Sequence, residues 1–171
     1  MRSALAAALL VLLSASSALA LTLQQMTEEQ RAAIVGDWKP LQVKGDAIAW
    51  ERFEKTKEIS KKHTYPDGSY SFDVTPEYTD DIKQLDGKEV TLMGFMFPLE
   101  QAPKQSNFLL GPYPMSCPFH YHVGPSLIIE VKSLEAVPFS YDPITLKGTL
   151  TVRFNTETGV FYYLENAKVI P

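Results

Sequence analysis

The residue types able to do chemistry in this 171-residue chain gather in one short stretch, "GPYPMSCPFHYHVGP", residues 111–125. It holds the only cysteine, Cys117, and two of the three histidines, His120 and His122. Residues two apart on extended backbone project to the same face, so the two imidazoles point together. Pro118 fixes the backbone between them and the cysteine, and a turn there brings the sulfur toward the rings. A thiolate with two imidazoles suits Zn(II) in a tetrahedron whose fourth position is left to water, another residue or a partner. Copper is the alternative, because Met115 can add a soft thioether that favours Cu(I). His63, in "KKHTYPDG", is a further candidate ligand in a context that reads as an exposed turn.

Each of these residues also has an ordinary structural use. A lone cysteine is often a small buried hydrophobe, and Met115 serves equally as packing. Phe119 and Tyr121 alternate with the histidines and fit the opposite face of a strand. Pro112, Pro114, Pro118 and Pro125 stiffen the loop with or without a metal, which keeps a non-catalytic interaction module in view. A monothiol redox protein is a third reading, since "CPFH" has the outline of a Cys-x-x-Cys motif with its second thiol replaced. That chemistry normally sits in a βαβ setting, and the sequence pattern offers none. No catalytic residue is assigned: phosphate-loop, His-Glu-x-x-His and nucleophile-elbow motifs are missing from the sequence.

Residues 1–20 read as a signal peptide, with Arg2 ahead of an apolar run and Ala18 and Ala20 forming a cleavage site. The apolar run is shorter than the roughly 20 residues of a spanning helix, so the expectation is a soluble periplasmic or secreted product without a stable membrane anchor. Export normally goes with paired cysteines, which makes an unpaired Cys117 more pointed. Without Arg2, fifteen Lys and Arg face twenty Asp and Glu, a formal charge of −5. Such a balance argues against nucleic acid as partner, which calls for a basic stripe.

The elements that must position the loop are mostly β. "MTEEQRAAIVG", residues 26–36, reads as a short helix capped by Thr27 and stopped by Gly36. "DAIAWERFEKTKEISKK" is expected to form a second helix from Asp46, and residues 63–81 an extended connector rich in turn formers. Five strands follow, in "KEVTLMGFMFPLE", "NFLLGPY", "SLIIEV", "ITLKGTLTVRF" and "GVFYYLENAKVI". Gly94 and Gly148 interrupt strand patterns where a barrel needs bulges or corners. The fold class is mainly β, a small five-stranded OB-like barrel over residues 82–171, preceded by a helical and extended segment over residues 21–81; a small β-sandwich is the alternative.

The order "LDGKEVTLMGFMFPLE", "FLLGPYPMSCPFHYHVGPSLIIEV", "YDPITLKGTLTV" resembles an uncharacterised family of exported bacterial proteins defined as a domain of unknown function. The resemblance covers about residues 82–171 and implies an exported barrel, sometimes encoded beside ABC-transporter components or associated with metal supply. Relatives of this kind often read Cys-Pro-Phe-Cys where this chain reads Cys117-Pro118-Phe119-His120. That exchange weakens a dithiol and suits a metal site. The expected function is therefore a metal-binding accessory protein, for zinc or alternatively copper, handing its ion to an ABC-transporter component or another exported protein.

Overall fold

Alternating apolar residues and well-placed glycines make the carboxy-terminal half of the chain a sheet that closes on itself. In a computed structural model, described over residues 40–114 and 123–171, helix α1 (Trp50–Glu54) is followed by strands β1 (Lys57–Thr64) and β2 (Tyr70–Glu77) and by helix α2 (Asp80–Lys83). Strands β3 (Glu89–Pro98) and β4 (Lys104–Gly111) come next, then a 3-10 turn (Pro125–Leu127), β5 (Ile129–Pro138), β6 (Ile144–Val152) and β7 (Tyr162–Ile170). The expected signal peptide and the expected helix at 26–36 lie outside the described residues.

The five later strands form a closed barrel in the order β3-β4-β5-β7-β6, with β6 returning to β3. Every neighbouring pair is antiparallel except β5 with β7. Both strand glycines stand where curvature is made. β3 pairs with β6 as far as Gly94 and with β4 from Phe95 onward, so the strand changes partner at the glycine. A Cβ on Gly94 would sit 2.8 Å from the Gly111 carbonyl oxygen and 3.0 Å from Trp50. Gly148 lies where the β6–β7 register shifts, and a Cβ there would sit 2.8 Å from the Glu165 carbonyl oxygen.

Inward-facing Leu92, Phe108, Leu110, Ile129, Leu146, Leu150, Tyr162 and Leu164 fill the barrel. Side chains from before residue 82 join them. Trp50 and Phe53 are fully buried, and Val74 and Tyr78 pack against the same cluster. The Trp50 indole N–H donates to the Met93 carbonyl at 2.8 Å, and the Tyr162 hydroxyl donates to Thr56 Oγ1 at 2.6 Å.

Two departures from the sequence reading concern this upstream segment. The second helix stops at Glu54, and residues 57–64 are strand. Trp50 and Phe53 are the apolar residues that give α1 a buried face; Ile59 falls off that face, and nothing beyond Phe53 would bury a longer helix. The connector is extended, but as a β-hairpin: β1 and β2 pair over eight positions from Lys57 with Glu77 to Thr64 with Tyr70. Its turn is written in Pro66-Asp67-Gly68, with Gly68 at φ +84° donating to the Tyr65 carbonyl, while Asp67 Oδ1 accepts from the Ser69 N–H at 2.9 Å.

Candidate functional site

Residues 111–128 connect two adjacent barrel strands, since Leu110 of β4 pairs directly with Ile129 of β5. Both ends of this connection are held. At the entrance, the Pro112 carbonyl accepts the Leu41 N–H at 3.0 Å. Burial raises the pKa of the neighbouring Tyr113 hydroxyl, and the carboxylates of Glu54 and Glu51, both on α1, raise it further. At the exit, the Leu127 N–H donates to the Gly124 carbonyl at 3.0 Å and closes the 3-10 turn that feeds β5.

Glu58 of β1 reaches this exit from the hairpin. Its Oε1 accepts the backbone N–H of Ser126 at 3.0 Å, and its carboxylate lies where a side chain on Gly124 would begin. Glycine at 124 therefore makes room for the carboxylate. No sequence signal links Glu58 to the loop, because the contact spans 68 positions and has no local pattern.

Met115, Cys117, His120 and His122 lie outside the described residues. His63, the remaining candidate ligand, sits on β1 opposite Ser71, exposed, with its ring 4.7 Å from that of Tyr65. It is five residues beyond Glu58, roughly 17 Å along a strand, and its odd position places it on the other face of the hairpin. Among the described residues, no three His, Cys, Asp or Glu side chains converge to hold a metal ion.

Two shallow clefts open on the barrel wall away from this loop, meeting at Lys147 and Glu89. Their charges are largely satisfied within the fold: Lys147 pairs with Glu89 at 2.8 Å, and Asp46 accepts from Thr91 Oγ1 at 3.1 Å. No helix among the described residues is long and apolar enough to cross a membrane.

No curated protein matches the chain. Among solved structures, it is similar to the crystal structure of a DUF3299 family protein from Pseudomonas aeruginosa PAO1, with 24% identity and a TM-score of 0.41 over 57% of this chain and 68% of that one. The family match reaches further upstream than the motifs of residues 82–171 and takes in α1 and the hairpin. Through residues 37–171, the chain belongs to the family described as Protein of unknown function (DUF3299).

Proposed function

We propose that this protein is an exported metal-binding accessory protein, holding zinc, or alternatively copper, through Cys117, His120 and His122. One observation carries the reading: the only cysteine and two of three histidines fall in one proline-rich connection whose entrance and exit are both fixed by the fold. A short span between two pinned ends limits the conformational freedom that ligand convergence would cost. Glu58 brings a carboxylate beside Gly124, two residues along the chain from His122, and is the oxygen donor we propose to test for the fourth position. A hard oxygen donor there favours Zn(II) over Cu(I).

Handover is the function that follows, with the ion passed to an ABC-transporter component or another exported protein in the periplasm. Support for location comes from the signal-peptide pattern of residues 1–20. Titration of the mature chain with Zn(II) and Cu(I), beside alanine variants of Cys117, His120 and His122, tests the reading. Loss of affinity in all three variants is the expected result; unchanged affinity for both metals removes the proposal.

A second reading has its own support. Four prolines in fourteen positions restrict the backbone φ angles with or without metal, which suits a non-catalytic interaction module. Thermal denaturation that ignores chelator would favour it.

A further inference from the structure

Strand β2, "YSFDVTPE", alternates strictly between apolar Tyr70, Phe72, Val74 and Pro76 and polar Ser71, Asp73, Thr75 and Glu77. Such a pattern belongs to a strand with one covered face. Only the barrel-proximal part of that face is covered: Val74 packs against the core, whereas Tyr70 and Phe72 are 60% and 58% exposed. Their rings contact each other at 5.7 Å, and Lys62 lies 4.2 Å over Tyr70. A two-stranded ribbon is marginal by itself in water and gains from further strands.

The two edges of this ribbon are unequal. β1 carries Lys57, Lys61 and Lys62, the kind of residue that discourages pairing at an edge, and β2 carries no lysine. Pro76 sets the direction of the β2 backbone. A proline inside a ladder turns its nitrogen away from the paired strand, so the even-numbered residues Tyr70, Phe72 and Val74 present their N–H and C=O groups to the open side. Among the described residues, no backbone hydrogen bond outside the hairpin ladder uses them.

We infer that β2 pairs antiparallel with β2 of a second copy of this chain, about a two-fold axis at Phe72, to give a four-stranded sheet. The register follows from complementarity. With Phe72 opposite its own copy, Tyr70 meets Val74, and Ser71 meets Asp73. Aromatic and β-branched side chains then pair across the axis, and Asp73 faces a hydroxyl. A register centred on Asp73 sets two carboxylates against each other, which opposes pairing. The chosen register places Tyr70, Phe72 and Val74 of both copies on one continuous apolar face. Such a two-fold contact is self-complementary and closes without leaving an open edge of its kind. The inference is independent of what the loop at 111–125 binds.

Sedimentation velocity on the mature chain, together with Phe72→Lys and Ser60→Lys variants, tests it. Wild type and Ser60→Lys are expected to dimerise, with Phe72→Lys weakening association by about tenfold or more through like charges on the axis. Oxidative cross-linking reads the register. In a Cys117→Ser background, Phe72→Cys is expected to form an intermolecular disulfide, because directly opposed residues lie about 5.5 Å apart at Cα, within disulfide reach. Ser60→Cys on β1 is expected not to. A monomer at high micromolar concentration, a dimer indifferent to Phe72→Lys, or cross-linking through position 60 in preference to 72 overturns the inference.

Discussion

Ser126 and Glu58, 68 positions apart, are joined by a 3.0 Å hydrogen bond from the Ser126 backbone N–H to the Glu58 carboxylate. The bond ties the hairpin to the exit of the Cys/His loop. Replacing Glu58 with Ala leaves the largely buried Ser126 N–H without this acceptor and is expected to cost about 1 kcal/mol of stability in urea titration. The same variant is expected to weaken zinc binding while leaving Cu(I) binding little changed. Equal loss for both metals, or for neither, would remove Glu58 from the ligand set.

Alanine at Gly94 would put a methyl group against the Gly111 carbonyl, where backbone cannot yield cheaply. A loss of about 1–3 kcal/mol is expected. Since Gly94 is where β3 changes partner next to the end of β4, the variant is also expected to speed hydrogen exchange at Phe95 and Gly111. Wild-type protection at those amides would show that the corner does not depend on glycine.

Trp50 anchors the upstream segment to the barrel through full burial and its bond to the Met93 carbonyl. Trp50→Ala is expected to destabilise the domain by about 3–5 kcal/mol. If residues 40–85 only decorated the barrel, the change in its denaturation midpoint would be slight.

Burial pushes the Tyr162 hydroxyl up to about 12, from an ordinary value of 10.0. Between those values the unfolded chain has released a proton that the folded chain retains, so stability falls as pH rises. Full stability from this group is therefore expected below about pH 10, with loss through pH 12. Tyr162→Phe should flatten that part of the profile, measured by urea midpoints across alkaline pH. A slope identical to wild type would assign the effect to other groups.

The barrel was legible because its information is local. Alternation in "TLTVRF" and "VFYYLENAKVI" marks strands, and glycines 94 and 148 mark the places where they must bend or bulge. In the upstream segment the apolar spacing of Trp50 and Phe53 is helical, but it supplies one turn, and the lysine-rich residues after it have no buried face to sustain the longer helix expected from Asp46. Pro66-Asp67-Gly68 marks a turn in the sequence, whereas the pairing of residues 70–77 with β1 is seen only in the fold, since residues 63–81 read as an extended connector. What no sequence pattern could give was Glu58 at the loop exit, because that contact depends on how the hairpin lies against the 3-10 turn. The candidate metal ligands Cys117, His120 and His122 rest on the clustering of residue types in sequence.

Convergence of sulfur with imidazole nitrogen is tested most directly by Co(II) absorption spectroscopy on the mature chain. Stoichiometric Co(II) is expected to give a sulfur-to-metal charge-transfer band that Zn(II) displaces and that Cys117→Ala abolishes, with ligand-field bands of tetrahedral intensity altered in His120→Ala and His122→Ala. A spectrum of hydrated octahedral cobalt, the same in wild type and in the Cys117 variant, would contradict the metal site outright.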